Sequence, residues 1–386
     1  MIIVTILVFL LVLSALVLIH EFGHFLMAKR AKVKVEEFGL GLPPRVWGKK
    51  YKGTIYSLNL LPFGGFVRLK GEDPSDKGVH DKDSFYVKSL RVRASILLAG
   101  VTMNILLGVI IFYFLIGFSN FRFVWPSLFD HKFQFADQFN GIMVEEIQKD
   151  SPAQAAGLPV FSLITRANSK AINSVDDLKS VTVASAGSQV TLTLYDTQSG
   201  KTSENKVVPR ADGQEKGTIG VVLSGIPFTV VQYNNPASKA LVGFAHSYNL
   251  VSFNVDAFGR LIAASIARHS VAPISAGVGG PVAIAQVTGE AVSVGPAAVI
   301  EFVALLSLTL GVINVLPFPA LDGGRLFFIA IEAVSRRKVN PVVEQVANTV
   351  GFFILISLIV LISFNDIFRI ISGSPFGSGV FDLFKK

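Results

Sequence analysis

The sequence predicts a polytopic α-helical membrane protein, with about four transmembrane helices and one inserted β-rich domain. Its 386 residues are 51% hydrophobic and only 16% charged, with a mean hydropathy of +0.55. Four segments reach about 20 apolar residues, the length that crosses the hydrocarbon core of a bilayer. Between the second and third of these, residues 141–225 alternate strand-like runs with turns and with two short helices that Ser151 and Ser174 are predicted to cap. The strand-like runs are 141–147, 188–196, 205–209 and 217–223. The chain has no cysteine, so disulfides and thiol nucleophiles are excluded.

The predicted spans are residues 2–19, 94–118, 302–321 and 345–365. We do not expect the first to be a cleaved signal peptide, because no Lys or Arg precedes it and no small-residue cleavage site follows it. Residues 270–289 are also uncharged, but they are rich in Gly, Ser and Pro. Helix breakers are unfavourable in a lipid-exposed span, so we predict an ordered loop or interfacial segment there.

The charge distribution predicts the orientation of the spans. Residues 29–93 hold 15 Lys and Arg against 7 Asp and Glu, whereas residues 119–300 hold 13 of each. The link 334–344 contains three consecutive basic residues, at 336–338. The positive-inside rule therefore places 29–93 and this link in the cytoplasm, and both termini and 119–300 outside. The net charge of +8 is a topology signal and gives no reason to expect nucleic acid as a partner.

The segment VLIHEFGHFLMAKR, residues 17–30, follows an uncharged run with two histidines and a glutamate. On a helix, His20 and His24 lie one turn apart on the same face. Two imidazoles so placed can bind one Zn²⁺, and Glu21 can act as the general base. Ionisable groups in a span are costly and usually functional. The alternative is a helix end whose polar side chains reach the cytoplasmic interface, but this does not explain the spacing of the histidines.

A catalytic zinc ion usually takes a third protein ligand. None of the other four histidines lies in a predicted span, but Asp322 is the one acidic residue between Glu301 and Glu332. Arg325 could be the ionic partner of Asp322, which is the structural alternative. Against it, Pro317 and Pro319 break the helix just before the carboxylate, and such breaks within a membrane line cavities or sites.

Asn314 brings a polar amide into the same zone, one turn before the first of these prolines. The first and third spans run in the same direction and carry their polar residues at the same depth. The three ligand candidates can therefore converge if the two helices pack together. Gly23 would allow a close helix contact, and Gly323 and Gly324 a tight turn after Asp322.

Residues 54–69, TIYSLNLLPFGGFVRL, predict a hairpin whose two arms flank a Pro-Phe-Gly-Gly turn containing Gly64 and Gly65. A protease must unwind a helical substrate, because the helix shields its own peptide bonds. An exposed strand edge near the metal could hold the unwound segment by strand addition. The alternative is a surface hairpin that faces the cytoplasm.

These residues resemble the site-2 proteases, which are intramembrane zinc metalloproteases, and most closely the bacterial RseP/RasP group. The resemblance rests on HEFGH, on the Asn-x-x-Pro-x-Pro element followed by LDG, on LLPFGGFVRLKGED (60–73) and on GGPVAIAQ (279–286). It implies Zn²⁺ as cofactor, His20, His24 and Asp322 as ligands, and Glu21 as catalytic base. It implies that substrate binding involves the remaining candidates: Asn314, Pro317, Pro319, Gly64 and Gly65.

The resemblance also implies the wider organisation. The domain at about 141–225 would be an extracytoplasmic PDZ domain, although the usual Gly-Leu-x-Pro-Gly-Asp turn is GLPVFSLI here. The hairpin would be membrane-associated and lean toward the active site. Substrates would be single-span proteins such as anti-sigma factors or signal-peptide remnants, already cut outside by a separate protease. The enzyme would lie in the bacterial cytoplasmic membrane.

The expected segments are helix 1 (1–28), the cytoplasmic-side segment (29–93), helix 2 (94–118), the outer region (119–235), an amphipathic connector (236–300), helix 3 (301–333), the link (334–344), and helix 4 with the tail (345–386). Two other functions use the same features. A metal or ion transporter would also place carboxylate and histidine ligands at a broken helix. A non-catalytic scaffold presenting the outer domain would leave the ligand triad without a role.

Overall fold

The computed structural model of the chain describes residues 2–72, 78–210 and 219–373. The described chain divides into two compact units. The first holds residues 2–112 and 246–373, and the second holds residues 113–245. All of the residues predicted to carry chemistry lie in the first unit, and the predicted β-rich domain lies in the second. The predicted tail after residue 373 lies outside the described residues.

The secondary structure is mainly helical in the first unit and mainly β in the second. The helices are α1 (Ile2–Arg30), α2 (Leu90–Phe118), α3 (Pro152–Ala155), α4 (Val175–Ala184), α5 (Pro236–Ala240), α6 (Val242–Ala267), α7 (Ala272–Gly277), α8 (Pro281–Val294), α9 (Pro296–Val315), α10 (Asp322–Ser335) and α11 (Pro341–Ile371). The strands are β1 (Val35–Tyr51), β2 (Thr54–Leu69), β3 (Arg122–Pro126), β4 (Asp137–Ile147), β5 (Ser162–Ala167), β6 (Lys170–Ala171), β7 (Val190–Asp196), β8 (Thr202–Val207) and β9 (Val221–Gln232).

Five helices in the described part of the chain are long and apolar enough to cross a membrane, namely α1, α2, α6, α9 and α11. Four of them cover the predicted spans, the third of these only as far as Val315. The fifth, α6, falls within the segment predicted as an amphipathic connector. Its most apolar window has a mean hydropathy of 1.4, whereas the other four helices reach 2.1 or more. The polar residues that indicate a connector therefore also make α6 the weakest of the five candidates.

The third predicted span is interrupted where its prolines indicate. Helix α9 ends at Val315 and α10 begins at Asp322, with Pro317 and Pro319 between them. A Cβ atom on Gly323 would lie 2.1 Å from the carbonyl oxygen of Leu316, so only glycine allows α10 to begin this close to the end of α9. The break therefore places Asp322 in the first turn of a new helix.

The prediction of a loop at 270–289 is wrong, because α7 and most of α8 occupy this segment, and the alternative of an interfacial segment stays a prediction. Each helix has proline in its first turn, where a missing N–H is not needed for the helix. The backbone N–H groups of Gly280 and Ala283 donate to Oδ2 of Asp366 in α11, at 2.9 and 3.1 Å. The Gly and Pro residues here separate two helices, and an acidic side chain of α11 anchors the start of the second.

The hairpin predicted within 54–69 is also wrong in its pairing. The two arms of β2 do not pair with each other, because the first part of β1 lies between them. Phe38 pairs with Val67 on one side and with Tyr56 on the other, in antiparallel register. The bend at the glycines thus carries the chain over residues 35–41 of β1, which pair with both arms. These residues lie outside the segment from which the hairpin was predicted. Residues 65–69, here called the outer segment, form one edge of the sheet and pair with β1 on one side only.

The second unit is built around an antiparallel sheet in the order β3-β9-β4-β5-β7-β8, with β6 paired to β5. Its core contains the fully buried Ile142, Ile164 and Leu192. The predicted Ser caps are confirmed: Ser151 caps α3, and Ser174 caps α4. The predicted strands overlap β4, β7, β8 and β9. The sequence reading missed β3, β5 and β6, which are short.

Candidate active site

The HEFGH segment lies near the end of α1, where both histidines are buried. His20 and His24 are 7% and 6% exposed, and their ring centroids lie 4.7 Å apart. A Cβ atom on Gly23 would lie 2.3 Å from the carbonyl oxygen of Ala99 in α2. Glycine therefore lets α1 and α2 approach closely, as predicted, and the histidines are held against α2.

Asp322 completes a group of three potential metal ligands. Its Oδ2 atom lies 2.9 Å from Nε2 of His20 and 3.2 Å from Nε2 of His24, and the two Nε2 atoms are 3.0 Å apart. Ligand atoms about 2.0–2.1 Å from a tetrahedral zinc ion lie about 3.3–3.4 Å from one another. These three atoms need to move apart by only a few tenths of an ångström to hold one ion. Among the described residues, this is the group of His and acidic side chains that could hold a metal.

The second nitrogen of His24 indicates which ring atom is available to a metal. Nδ1 of His24 lies 2.8 Å from the carbonyl oxygen of Ile96. A carbonyl oxygen only accepts, so Nδ1 donates and carries the proton of the neutral ring. Nε2 then presents its lone pair toward Asp322, as a zinc ligand requires. The donor set and this tautomer therefore fit a zinc ion.

Arg325 is not the ionic partner that the structural alternative assigns to Asp322. Its guanidinium donates from Nη1 to Oε1 of Glu72, just after β2. This pair joins the first turn of α10 to the end of the strand beside the site. Asp322 instead has the two histidines as its close polar contacts.

Glu21 lies beside the metal ligands and is hydrogen-bonded to β2. Its Oε2 atom accepts a hydrogen bond from the backbone N–H of Val67, at 3.0 Å. Together with His24 and Asp322, it lines a cavity of about 230 Å³. A water molecule occupies about 30 Å³ in the liquid, so the cavity has room for several waters or a short piece of peptide. The cavity thus brings together the carboxylate of Glu21, two of the three potential ligands and space for a substrate.

The outer segment 65–69 lines this cavity. Two carboxylates of the protein accept hydrogen bonds from the free backbone edge of this segment. The N–H of Lys70 donates inward to the carbonyl oxygen of Lys34. Strand alternation then directs the N–H groups of Val67 and Leu69 outward. Glu21 accepts from the first at 3.0 Å and Glu72 from the second at 3.2 Å. The two N–H groups that another strand would use are therefore already bonded.

The glycines predicted to bind substrate lie in the bend of β2. Gly64 has φ of +77°, in the left-handed region that favours glycine. A Cβ atom on Gly65 would lie 3.1 Å from Cδ2 of Leu18, so the bend lies directly against α1. Ser14 donates from its hydroxyl to the carbonyl oxygen of Pro62, at 3.1 Å. The sheet therefore extends along α1 from Glu21 to Ser14, which lies nearly two turns closer to the start of the helix.

The predicted residues of the third span lie next to the cavity rather than in its lining. Asn314 is half-buried in the last turn of α9, and Pro317 is exposed. Pro319 packs against α11, where a Cβ atom on Gly351 would lie 2.4 Å from its ring. The lining residues of the cavity within the described chain include none of these three side chains. Their roles in substrate binding stay predictions.

Two amide side chains at the site were not predicted as site residues. Asn348 of α11 lines the cavity, and its Oδ1 atom accepts from the N–H of Ala320 at 3.3 Å. Asn104 of α2 lies against His20. Both are amides in apolar helices, which is the signal that drew attention to Asn314. Applying it to all spans would have found them.

Comparisons with known proteins agree with this chemistry. The sequence model of peptidase family M50 matches residues 8–358. A protein of Clostridium perfringens that carries a zinc metalloprotease name is 33% identical, over 93% of this chain and 97% of the relative. The zinc metalloprotease RasP of Shouchella clausii is 27% identical, over 95% of this chain and 100% of the relative. The RasP of Oceanobacillus iheyensis is 26% identical, over 95% and 99%.

The matches extend over more than nine-tenths of this chain and of each of these relatives, and the matched region contains the histidine pair, the carboxylate and the break before it. The family match and the names of these relatives support a metalloprotease and give no support to a transporter. The cofactor of the relatives is zinc by name, and the buried donor set fits it. The chain therefore belongs to peptidase family M50, the site-2 protease family of membrane zinc metalloproteases.

Proposed function

We propose that this metalloprotease hydrolyses peptide bonds within the transmembrane segments of single-span proteins, such as anti-sigma factors or signal-peptide remnants. The observation that carries the proposal is the depth of the ligand triad. His20 lies about 27 Å along α1 at 1.5 Å per residue, near the far side of a hydrocarbon core about 30 Å thick. Asp322 meets it directly after α9. A peptide bond that reaches this group must come from a segment that enters the membrane.

In this proposal His20, His24 and Asp322 hold the zinc ion. When bound, zinc polarises a carbonyl and lowers the pKa of water toward 7. Glu21 takes the proton from the attacking water and passes it to the leaving amine. The hydrogen bond from the N–H of Val67 fixes the carboxylate of Glu21 while leaving its second oxygen available as the base. Asn314 is proposed to contact the substrate or its developing oxyanion.

The outer segment 65–69 is proposed to hold the unwound substrate by strand addition. It lines the cavity, and its outward N–H groups lie at the spacing that an added strand requires. A substrate carbonyl would replace Glu72 at the N–H of Leu69, while the N–H of Val67 continues to hold Glu21. Gly64 and Gly65 would shape the bend that brings this segment against α1.

We propose four spans, with both termini outside and α6 not crossing the membrane. The ends of α1 and α9 meet at the site, and Gly289 of α8 contacts Thr5 near the start of α1. Helices α1 and α9 therefore run in the same direction. The chain between α2 and α9 must then cross the membrane either not at all or twice, so α6 can cross only if a second helix crosses back. Helix α8 reaches about 21 Å, too short to provide a second crossing.

The orientation follows from the basic residues of 29–93 and 336–338, which place these segments in the cytoplasm of a bacterial cell. Reporter tags at positions 75 and 337 should read cytoplasmic, and tags at 200 and 269 extracytoplasmic. A cytoplasmic reading at 269 would mean that α6 crosses, and a cytoplasmic reading at 200 would reverse the whole orientation.

The sheet domain of the second unit is proposed to be a PDZ-like filter that admits substrates already trimmed by a separate protease. The loop that would hold a peptide carboxylate in a PDZ domain is occupied by its own contacts. The N–H of Phe161 donates to the carbonyl oxygen of Val144 at 2.8 Å, and the hydroxyl of Ser162 donates to that of Pro159 at 2.7 Å. Selection by size therefore suits this domain better than capture of a terminal carboxylate.

The proposal is tested with the purified full chain and a synthetic single-span peptide in lipid vesicles, with cleavage products mapped by mass spectrometry. We expect cleavage within the apolar segment. Glu21→Gln should reduce it by about 10²–10⁴-fold, the usual contribution of a general base, while keeping zinc. Cleavage only outside the apolar segment would contradict the intramembrane proposal, and full activity of Glu21→Gln would remove Glu21 from its role.

A further inference from the structure

The second ring nitrogen of His20 faces an amide on α2. For Nε2 of His20 to present a lone pair to a metal, the proton of the neutral ring must be on Nδ1. His20 is 7% exposed, so this N–H needs an acceptor within the protein. The polar atom at Nδ1 is Nδ2 of Asn104, at 3.5 Å. An NH₂ group facing an N–H group places a donor against a donor.

The other end of the same amide lacks a partner. Asn104 is 1% exposed, and its Oδ1 atom has no hydrogen bond within the described chain. An amide exchanges its oxygen and nitrogen by a half-turn about the Cβ–Cγ bond, with almost no change in shape. After that turn, Oδ1 lies where Nδ2 lies now, close to Nδ1 of His20. One rotation therefore satisfies the oxygen of Asn104 and the N–H of His20 together.

The backbone holds Asn104 at this position. The hydroxyl of Ser307 in α9 donates to the carbonyl oxygen of Asn104 at 2.7 Å, and Ser307 is fully buried. Helices α2 and α9 also approach closely at Gly311, where a Cβ atom would lie 2.9 Å from the side chain of Ile105. The amide is thus fixed beside the histidine by the packing of two spans.

His24 shows the same arrangement one turn later. Its Nδ1 donates to the carbonyl oxygen of Ile96, also on α2. Helix α2 therefore offers one acceptor to each imidazole, a backbone oxygen for His24 and a side-chain oxygen for His20. Partners of this kind fix the tautomer and orientation of metal-binding histidines.

We propose that Asn104 is a positioning residue for the metal, whose Oδ1 accepts a hydrogen bond from Nδ1–H of His20 and so holds His20 in the tautomer that binds zinc. This inference rests on the proposed role of His20 as a ligand. It assigns to α2, which supplies no ligand, a direct part in zinc affinity.

The test measures zinc affinity, by titrating the metal-free full chain with Zn²⁺ against a chromophoric chelator. Asn104→Leu has a similar size and no acceptor, and should weaken zinc binding by about 10–100-fold, the usual effect of losing such a partner. Asn104→Asp retains an acceptor and should recover most of the affinity. A purely structural role predicts the opposite order, because Asp buries a charge that Leu does not.

Two further variants separate the possible causes. Ser307→Ala loosens the contact between α2 and α9 but keeps the amide, and should change zinc affinity less than Asn104→Leu does. Asn104→Ala replaces the Leu variant if that protein does not fold, with the same expected direction. Affinity of Asn104→Leu or Asn104→Ala equal to that of the unaltered protein, or Asp as damaging as the apolar variant, would overturn the inference.

His20→Ala, measured in the same titration, separates the ligand role of His20 from the positioning role of Asn104. If it loses zinc while the Asn104 variants keep it, the positioning role fails and the ligand set stands. If it retains full zinc affinity, the ligand set fails and the role of Asn104 fails with it.

Discussion

The metal site and the sheet domain are assembled in opposite ways. The site draws its polar groups from distant parts of the chain, since His20 and Asp322 are 302 residues apart. The sheet domain forms within one continuous stretch, residues 113–245, and has its own apolar core. A change at the site should therefore remove the chemistry, whereas a change in the domain should alter which substrates are cut. The predictions below test that division.

The largest effect is expected from the ligands. His20→Ala and His24→Ala should each lower zinc affinity by more than the roughly 10–100-fold typical of an outer partner, and should abolish cleavage. The measurement is a zinc titration together with the peptide cleavage assay. His80→Ala is the matched control, because this histidine is exposed and lies outside the ligand triad. Retention of zinc and activity by either ligand variant would contradict the claim that a change at the site removes the chemistry.

Removal of the sheet domain should have a selective effect. Arg122 and Gln232 pair across β3 and β9, so a short linker can replace the residues between them without straining the ends. Zinc content and cleavage of a trimmed substrate should stay near the level of the full chain. A substrate that retains a bulky outer domain should be cut by the shortened enzyme and spared by the full chain. An unchanged preference for the trimmed substrate would rule out the filter.

The smallest effect is expected at the edge of the outer segment 65–69. Glu72→Ala removes the carboxylate that a substrate strand is proposed to displace from Leu69. KM should fall a few-fold, with kcat and zinc content unchanged. The variant should also lose stability, because Arg325 is left without its carboxylate partner on the wall of the cavity. Steady-state kinetics on the single-span peptide provide the measurement, with Glu36→Ala, in the next segment of the sheet, as control. A rise in KM would show that Glu72 helps to bind the substrate.

The sequence predicted the parts of the site that depend on local spacing. The i, i+4 spacing predicted that His20 and His24 share one face of a helix. The isolation of Asp322 among apolar residues predicted that it joins them. The proline break and the two Ser caps also follow from rules that act over a few residues. The histidine spacing, the proline break and the caps are each complete within a few residues, and the isolation of Asp322 is visible within one apolar segment.

The features that were missed depend on pairing over long distances. The arms of β2 look like a hairpin because no local signal reveals that residues 35–41 enter between them. Likewise, Asn104 stands out in sequence as an amide in an apolar helix, but its partner is hidden until α1 and α2 pack and bring it to His20. The bond between Glu21 and the N–H of Val67 uses a backbone group, which every residue has. Composition and periodicity do not distinguish such contacts.

The central claim is that three ligands, and not Glu21, hold the zinc ion. The most direct test is the zinc content of three purified proteins: the unaltered chain, Glu21→Gln and Asp322→Asn. We predict about one zinc ion per chain in the first two, because Glu21 is the base and not a ligand, and a strongly reduced content in the third, because an amide is a much poorer zinc ligand than a carboxylate. Full zinc in Asp322→Asn, or loss of zinc in Glu21→Gln, would contradict the account.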